Sequence, residues 1–273
     1  MGEKGCCAIK FSGKKKSNLE VNMEGKTHFG FKEVKIEEKS NLVKEIFSSV
    51  ANKYDLMNDL MSFGAHRIWK DKMIANINPN SSRVDFIDVA GGTGDIAFRI
   101  AKKMHKTGKN FSVKVVDINQ EMLDVGYQRS VDKNLFSNLE FINCDGENLN
   151  FGDESFDFFT IAFGIRNFTN IDKGLSEAFR VLKKGGKFIC LEFSKVNDYF
   201  LQKIYDKYSF NIIPKIGEVV LNDRASYQYL VESIRKFPKQ EDFKKMIENA
   251  GFKNVSYQNL TFGCVAIHVG HKI

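Results

Sequence analysis

The sequence predicts an α/β domain with a mostly parallel sheet that is closed by an antiparallel hairpin. Two observations predict this class. Short apolar segments alternate with amphipathic segments of helical period between residues 84 and 193, which is the pattern of βαβ units. After residue 250, two final strands are joined by only a few residues, and a parallel pair would need a crossover of a dozen or more.

Two helical segments precede the first strand. Apolar residues recur at i, i+3 and i+4 spacing over Leu42–Val50, with Ser40 as the expected N-cap, and again over Ile68–Ile77. The break at Asn78–Asn80, with its central proline, ends the second helix. We expect residues 40–80 to form N-terminal lid helices.

The central part alternates strictly. The predicted strands are Val84–Val89, Ser112–Val116, Leu139–Asn143, Phe156–Phe163 and Lys187–Phe193. The predicted helices are Ile96–Lys103, Glu121–Ser130 and Ile171–Leu182. Glycine pairs favour turns, so Lys183–Gly186 is predicted to be the turn before the fifth strand.

The order changes after the fifth strand. Residues 195–237 are predicted to be an insertion of helices that lies over one end of the sheet. Its helices are Tyr199–Ile213 and Ala225–Lys236, followed by a helix at Glu241–Ala250 with Gly251 as C-cap, and by strands at Asn254–Gln258 and Thr261–Val269. The expected total is seven strands.

The first 39 residues differ from the rest in composition. They contain nine Lys and six Glu, with no Arg and no sustained hydrophobic period. Such segments cannot bury enough apolar surface to fold, so residues 1–39 are predicted to be a disordered or weakly ordered tail. Residues 40–273 form the predicted domain. Because transit peptides are rich in Arg, the tail is a weak targeting signal.

Composition excludes several classes of protein. The net charge is +7, but it is spread along the chain, and only eight of the 41 basic residues are Arg, so we expect no nucleic-acid partner. Five cysteines without a C-x-x-C pair predict neither a disulfide framework nor a zinc ribbon, and no metal is expected. No apolar run reaches the roughly 18 residues that a transmembrane helix needs.

The sharpest local feature is a glycine turn, Asp88–Asp95, between the first predicted strand and the following helix. Glycines let the backbone turn tightly and approach a ligand closely. The motif also fits the dinucleotide pattern G-x-G-x-x-A, with Asp117 near the spacing of a ribose-binding acid. By itself it does not decide between a dinucleotide and a nucleoside.

Other polar residues favour a nucleoside without a pyrophosphate. Asp145 and Gly146 follow the third strand, where a carboxylate can accept from an exocyclic amino group. Ligands of doubly wound sheets bind beyond the carboxyl ends of the strands, and Asp88, Asp117 and Ala162 also lie at such ends. The alternative is that the aspartates only cap helices and turns.

This arrangement resembles the class I S-adenosylmethionine-dependent methyltransferases. Longer motifs are similar to one family of them, the ubiquinone/menaquinone biosynthesis C-methyltransferases. The motifs that carry this resemblance are Phe47-x-x-Val50-Ala51-x-x-Tyr54-Asp55-x-Met57-Asn58-Asp59-x-Met61-Ser62-x-Gly64-x-His66-Arg67-x-Trp69-Lys70, Phe163-Gly164-Ile165-Arg166-Asn167, Arg180-Val181-Leu182-Lys183-x-Gly185-Gly186, Leu191-Glu192-Phe193-Ser194 and Tyr227-x-Tyr229-Leu230-x-Glu232-Ser233-Ile234. They extend over about residues 43–273.

The resemblance implies a seven-stranded Rossmann-like fold and S-adenosylmethionine as cofactor, with S-adenosylhomocysteine as product. Thr93 would lie at the glycine turn, Asp117 at the ribose and Asp145-Gly146 near the adenine. Ala162 stands at a position where bacterial members carry Ser, so only backbone contact is expected there. The expected cofactor-binding residues are Asp88, Gly92, Thr93, Gly94, Asp117, Asp145, Gly146 and Ala162.

The implied reaction is C-methylation of a polyprenylated methoxy-benzoquinol in ubiquinone biosynthesis. Arg166 is the main catalytic candidate, because a lone cation follows an apolar strand at the expected cleft. Since Arg keeps its proton in proteins, we expect it to stabilise a phenolate oxygen while water takes the proton. Asn167 would position that water or the ring oxygens. The expected substrate-binding lid residues are Tyr54, Asp55, Asn58 and Arg67.

The resemblance also implies partners and a location. It implies peripheral membrane contact, other quinone-biosynthesis enzymes and a possible homodimer. For a eukaryotic source it implies the matrix side of the mitochondrial inner membrane, and otherwise the cytoplasm with peripheral membrane association. Three alternatives stay open: a methyltransferase with another acceptor, a non-catalytic cofactor-binding scaffold of the quinone-synthesis assembly, and a nicotinamide oxidoreductase.

Overall fold

The main element of the fold is a seven-stranded sheet. The computed structural model describes residues 25–50, 58–59, 62–196, 202–203, 207, 215 and 224–273. An antiparallel pair precedes the sheet, β1 (Lys26–Phe29) and β2 (Lys32–Lys35). The sheet strands are β3 (Arg83–Val89), β4 (Asn110–Asp117), β5 (Leu139–Asn143), β6 (Phe156–Ala162), β7 (Leu182–Phe193), β8 (Lys253–Leu260) and β9 (Val265–His271). The helices are α1 (Ile36–Val50), α2 (Ala65–Ala75), α3 (Asp95–Thr107), α4 (Gln120–Asp132), α5 (Ile171–Val181), α6 (Arg224–Lys236) and α7 (Gln240–Asn249).

The strand order is β5-β4-β3-β6-β7-β9-β8. Strands β3 to β7 pair in parallel, and β9 runs antiparallel to both of its neighbours, β7 and β8. The predicted α/β class, its seven strands and its C-terminal antiparallel hairpin are therefore confirmed. The order reverses beside β3, which pairs with β4 on one side and β6 on the other.

The sheet is covered on both faces because its central strands are apolar on both sides. Along β3, Val84 and Phe86 belong to one buried cluster, and Ile87 and Val89 belong to another, as the two-residue period of a strand requires. Helices α2, α3 and α4 contribute to the first cluster, and α5 and α7 to the second. Two buried layers hold the carboxyl ends of β3 to β6 in place.

The structure corrects the predicted tail. Residues 26–35 form an antiparallel pair, and α1 begins at Ile36, so Ser40 lies inside the helix and is not its N-cap. Phe29 stacks on Tyr229 with ring centroids 4.3 Å apart, and the Phe31 amide donates to Glu232 at 3.0 Å. The sequence pattern missed this segment because contacts with distant α6 order it.

Two further boundaries are wrong. Lys183–Gly186 is not a turn but part of β7, where the pairing register with β6 shifts and Gly185 has φ +80°. Thr261 does not begin the last strand, because Thr261–Gly263 forms a 3-10 turn before β9. Of the predicted inserted helices, the second is α6, and Tyr199–Ile213 lies outside the described residues except at 202–203 and 207.

Candidate active site

A cavity of about 310 Å³ opens at the carboxyl ends of β3 to β6, beside the point where the strand order reverses. The loops after these four strands form its wall, and one face of α1 closes it from the other side. Seven of the eight predicted cofactor residues line it: Asp88, Gly92, Thr93, Asp117, Asp145, Gly146 and Ala162.

Asp117 ends β4 with both carboxylate oxygens turned toward backbone donors. Oδ2 accepts from the Gly92 amide at 2.9 Å, and Oδ1 accepts from the Asn119 amide at 2.9 Å. Each oxygen keeps a second lone pair, so the carboxylate can also accept from two ligand hydroxyls. Desolvation in the cavity raises the pKa of Asp117 to about 6, and the backbone donors oppose this rise.

Asp88 is fully buried at the end of β3. Its Oδ1 accepts from the Thr160 hydroxyl at 2.7 Å, whereas Oδ2 has no hydrogen-bond partner among the described residues. Burial raises the pKa of Asp88 to about 7. A buried acceptor without a partner is costly, so a ligand ammonium or another donor in this cavity would relieve that cost.

The glycine turn brings the backbone to the cavity. Gly92 has φ +51°, and a Cβ there would lie 3.0 Å from Met122 Cε. Gly94 also has a positive φ, but it packs against Phe98 and Phe141 and is not on the cavity wall. The expected cofactor role of Gly94 stays a prediction, because this glycine lies at the entry into α3 and not on the described cavity wall.

Ala90 occupies a strained position in the same turn, with φ +51°. Its methyl group packs over Gly164 in the loop after β6, where an added Cβ would come within 2.4 Å of it. The two loops can approach because one of the two positions is glycine. The Phe163–Asn167 motif thus packs directly on the glycine turn.

The loops after β5 and β6 complete the wall. Asp145 accepts from the Glu147 amide at 2.8 Å, so it shapes its own turn and also lines the cavity. A Cβ at Gly146 would lie 2.6 Å from the Phe168 ring, which makes glycine necessary there. Ala162 is half-buried at the end of β6 and presents only a methyl group and backbone. The aspartates therefore cap turns and line the site at once.

Arg166 is not on the cavity wall, contrary to the expectation. Its side chain is almost fully buried, and Nη1 donates to Glu192 Oε1 at 2.9 Å and to the carbonyl of Phe163. The guanidinium lies 5.5 Å from the centre of the Phe193 ring. The partner acid comes from strand β7, and burial raises its pKa while Arg166 opposes that rise.

Asn167, the next residue, does line the cavity. Its Oδ1 accepts from the Tyr229 hydroxyl of α6 at 3.0 Å. Sequence reasoning gave no role to Tyr229 or Glu192, although both lie in the motifs quoted above. A single acid in the apolar strand Ile189–Phe193 was the signal that could have identified Glu192.

Of the predicted substrate residues, the two that the structure describes, Asn58 and Arg67, do not line the cavity. Arg67 is largely exposed and forms an ion pair with Asp59, with Nη2 2.7 Å from Oδ2. Asn58 is not among the lining residues, and its carbonyl accepts from Ser62 at 2.7 Å. Tyr54 and Asp55 lie outside the described residues. Their role in binding the substrate stays a prediction.

Two lining features were not predicted. Lys70 of α2 is a buried cation whose Nζ donates to Asp95 Oδ2 at 2.7 Å, and both residues line the cavity. Helix α1 covers the cavity with Val43 and Phe47. The first lining residues of α1, Ile36 and Glu37, were not predicted because residues 1–39 were predicted to be a tail.

The residues of this cavity fit an S-adenosylmethionine molecule. Asp117 can hold two ribose hydroxyls, the glycine turn leaves room at the backbone, and Asp88 and Lys70 offer an acceptor and a cation to an amino acid group. Together with the strand order, they define a class I S-adenosylmethionine-dependent methyltransferase. In the described part of the chain, no cluster of three or more His, Cys, Asp or Glu could hold a metal ion.

The chain belongs to the ubiE/COQ5 methyltransferase family, whose sequence model matches residues 33–272. It is 54% identical over 247 residues to the ubiquinone/menaquinone biosynthesis C-methyltransferase UbiE of Rickettsia bellii, covering 90% of this chain and 99% of that protein. It is 56% identical to the UbiE of Brucella suis, covering 90% of each. The resemblance seen in the sequence is confirmed.

Solved structures agree on the fold. An S-adenosylmethionine-dependent methyltransferase of Aquifex aeolicus matches with a TM-score of 0.56 at 15% identity, covering 80% of this chain and 98% of that one. Phosphoethanolamine N-methyltransferase 2 of Haemonchus contortus, solved with S-adenosyl-L-methionine, has a TM-score of 0.56 at 16% identity, covering 74% of this chain and 52% of that one. The predicted enzyme class and cofactor are confirmed by the family.

Proposed function

We propose that this enzyme methylates a ring carbon of a polyprenylated methoxy-benzoquinol in ubiquinone biosynthesis. The observation that carries the proposal is the cavity, in which the cofactor wall continues to Asn167, a neutral amide at the end of the loop after β6. The identity to UbiE proteins over 90% of the chain supports the same substrate class. A menaquinone precursor is a second substrate of that class.

The chemistry divides between ligand and protein. When bound, S-adenosylmethionine supplies an electrophilic methyl group carried on a sulfonium. The quinol carbon becomes nucleophilic when the neighbouring hydroxyl loses its proton to water, and the methylated carbon later releases its hydrogen as a proton to restore the aromatic ring. Asp117, Asp88 and Lys70 hold the cofactor, and α1 excludes water from above. Holding two reactants in line can lower the barrier by roughly 7–11 kcal/mol.

The position of Arg166 supports a revised role. Its Nη1 donates to Glu192 and to the carbonyl of Phe163, and the residue is not on the described cavity wall. We assign it the task of fixing the turn that carries Asn167. Stabilisation of the phenolate oxygen then falls to Asn167, which lines the cavity.

Contact with a membrane surface follows from the prenylated substrate. Three exposed apolar side chains flank the junction of α2 with the β8–β9 turn: Phe63 is 82% exposed, Ile68 60% and Phe262 74%. Trp69, next to Ile68, donates to Thr261, next to Phe262, at 2.8 Å, which joins the two elements. This apolar patch is our candidate membrane contact. No helix of the described residues is long and apolar enough to cross a bilayer.

The location and the partners that we propose are those that membership of this family implies. For a eukaryotic source we propose the matrix side of the mitochondrial inner membrane, with other quinone-biosynthesis enzymes as partners. For a bacterial source, as in the Rickettsia and Brucella relatives, we propose the cytoplasm with peripheral membrane contact. A homodimer is compatible with either.

The test is incubation with methyl-labelled S-adenosylmethionine and a short-chain 2-methoxy-6-prenyl-1,4-benzoquinol under reducing conditions. We expect label on a ring carbon that carried hydrogen in the substrate, read by mass spectrometry and NMR of the product. Label on an oxygen would replace C-methylation with O-methylation. Absence of transfer by a protein that binds S-adenosylhomocysteine would point to another acceptor or to a scaffold, and absence of binding would leave the nicotinamide alternative.

A further inference from the structure

The contact between Tyr229 and Asn167 links helix α6 to the cavity. Tyr229 is 6% exposed, and its hydroxyl lies 3.0 Å from Asn167 Oδ1. Asn167 is half-buried and lines the cavity, whereas Tyr229 is not among the lining residues. The tyrosine therefore reaches the cavity only through the carboxamide of Asn167.

The tyrosine is held as a hydrogen-bond donor. Its ring stacks on Phe29 of β1 with centroids 4.3 Å apart and planes inclined by 22°. Burial raises the pKa of Tyr229 to about 12, so the hydroxyl keeps its proton at neutral pH. A protonated phenol can donate to the carbonyl oxygen of a carboxamide, and its described acceptor is Asn167 Oδ1.

This donation fixes which end of the carboxamide faces the ligand. With Oδ1 occupied by Tyr229, the two N–H donors on Nδ2 remain available to the cavity that Asn167 lines. Without the phenol, the amide could rotate by half a turn and present its oxygen instead. An oxygen facing a developing phenolate would repel it.

The neighbouring ion pair makes this donor important. Arg166 is the nearest cation in the chain sequence, but its Nη1 donates to Glu192 and to the carbonyl of Phe163, and the residue does not line the cavity. The neutral amide is left as the donor that the loop after β6 offers to the cavity. Donors that are fixed in advance toward a growing negative charge are a large source of rate enhancement.

We propose that Tyr229 is a positioning residue that holds the Asn167 carboxamide with its N–H donors toward the phenolic oxygen of the quinol. Tyr229 acts through Asn167 and does not itself touch the substrate. The inference rests on the proposed function for the identity of the oxygen, but the orientation of the amide is independent of it.

The test is Tyr229→Phe, which keeps the stacked ring and removes only the hydroxyl. We expect kcat for the quinol to fall about tenfold, less than the hundredfold or more seen when an oxyanion donor is removed outright. Affinity for S-adenosylhomocysteine should change less than twofold. The acid limb of the pH–rate profile should move to higher pH, because the quinol hydroxyl loses its proton less readily. Tyr257→Phe, at a surface tyrosine of β8, is the matched control.

A double-mutant cycle separates positioning from stability. In an Asn167→Ala background, Tyr229→Phe should cause no further loss of kcat, because the group that it orients is gone. Independent losses in the two variants would overturn the proposal, and so would an unchanged pH profile in Tyr229→Phe.

A measurement without turnover keeps this inference separate from the proposed function. Selective ¹⁵N-asparagine labelling gives the side-chain amide signal of Asn167, identified by its loss in Asn167→Ala. In the wild type we expect two resolved, sharp amide protons, and in Tyr229→Phe a shifted and broadened pair. An unmoved pair would overturn the inference even in an active enzyme. A moved pair in a wild type that does not methylate the quinol would leave the positioning intact and overturn only the substrate.

Discussion

At the scale of single residues, Asp117 has two tasks that its motif does not separate. It accepts from the amides of Gly92 and Asn119 and so closes the turn between β3 and α3 against the turn after β4. It also lines the cavity. The apo carboxyl is poorly solvated there, which raises its pKa to about 6, so proton binding and ligand binding compete at the same group.

This competition predicts a pH dependence of ligand affinity. Below pH 6 the Asp117 carboxyl of the free enzyme is protonated, and a ligand that needs the carboxylate must release the proton. The contribution of Asp117 should therefore raise the Kd for S-adenosylhomocysteine about tenfold for each pH unit below 6 and be constant above it. Asp117→Asn should bind at least about tenfold more weakly at pH 8, because a charged hydrogen bond contributes about 1.5–3 kcal/mol.

Titration calorimetry between pH 5 and 8 makes the measurement. Asp88, whose pKa is about 7, titrates in both proteins, so the difference between wild type and Asp117→Asn isolates Asp117. Asp124→Asn, on the exposed face of α4, is the control and should behave as the wild type. An affinity that is equally weak at pH 5 and 8 in the wild type would contradict the assignment.

The residues that the sequence identified and those it missed differ in how they act. Local sequence was enough to predict the glycine turn and the acids at the ends of β3, β4 and β5. Each of them lies at or directly after its own strand, and the carboxyl ends of parallel strands meet at one edge of the sheet. Arg166 was placed in the cleft by the same reasoning. A cation among apolar residues does not reveal that an acid 26 residues later, Glu192, neutralises it across the sheet.

The Arg166–Glu192 pair gives a stability prediction with an asymmetry. Glu192→Leu leaves a buried guanidinium that cannot lose its proton, and we expect a loss of about 3–5 kcal/mol in the free energy of unfolding. Arg166→Met leaves the Glu192 carboxyl without its partner. Because burial already raises the pKa of this carboxyl, it can take up a proton and become neutral, so the loss in the free energy of unfolding should be smaller. The double variant should regain most of the stability but not the activity.

Urea unfolding at pH 7 measures these differences, and the deficit of Arg166→Met should shrink at lower pH, where Glu192 is protonated more easily. If the double variant is as unstable as Glu192→Leu, packing and not charge determines the loss. If the double variant keeps full kcat, Arg166 has no part in fixing the turn that carries Asn167.

At the scale of elements, α1 is fastened to two cavity loops at once. Lys39 Nζ donates to the carbonyl of Phe168 at 2.7 Å, and Asn119 Nδ2 donates to the carbonyl of Lys44 at 3.1 Å. Asn119 also caps α4, where Oδ1 accepts from the Met122 amide. A ligand between these loops would add contacts to α1 without changing the far side of the sheet.

Hydrogen exchange can test this coupling. S-adenosylhomocysteine should slow amide exchange in α1, over residues 36–47, several-fold more than in α7, none of whose residues lines the cavity. Mass spectrometry of peptic peptides resolves the two helices. Lys39→Met should reduce the protection in α1 and leave α7 as in the wild type. Equal protection in both helices would mean global stabilisation and not a lid.

The predicted elements were most accurate where the local pattern matched the packing. Strand Leu139–Asn143 was predicted with its observed bounds, and the other sheet elements differ mainly at their ends. The β1–β2 pair was missed because its stabilising contacts come from α6, far away in the sequence. Phe29 stacks on Tyr229, and the Phe31 amide donates to Glu232. Gly185 in β7 reads locally as a turn, yet its amide donates to the carbonyl of Lys272, which keeps it in the sheet.

At the scale of the whole molecule, the function of the cavity depends on access from a membrane, because a prenylated quinol must reach the cavity from a lipid phase. The apolar patch is the surface that we propose for this membrane contact. Phe63 and Phe262 both have a positive φ, 48° and 57°, which is uncommon for aromatic residues and holds their rings outward. Exposed aromatic residues on strained turns cost folding stability, and such costly features concentrate at functional sites. We propose that their function is insertion at a membrane surface.

The prediction is that Phe63→Ser/Ile68→Ser/Phe262→Ser abolishes most co-flotation with vesicles of phosphatidylcholine and cardiolipin. Removing three large apolar side chains from an interface lowers its affinity by several kcal/mol, on the scale of about 1.5–3 kcal/mol for each fully buried residue. Affinity for S-adenosylhomocysteine should stay as in the wild type, since none of the three lines the cavity. Activity should fall on a long-chain quinol in vesicles and remain on a short-chain quinol in solution.

Tyr127→Ser/Val131→Ser/Phe136→Ser, at exposed apolar residues elsewhere on the surface, is the matched control. Equal flotation of the patch variant and the control would contradict the assignment, and equal loss on both quinols would indicate damage to the cavity.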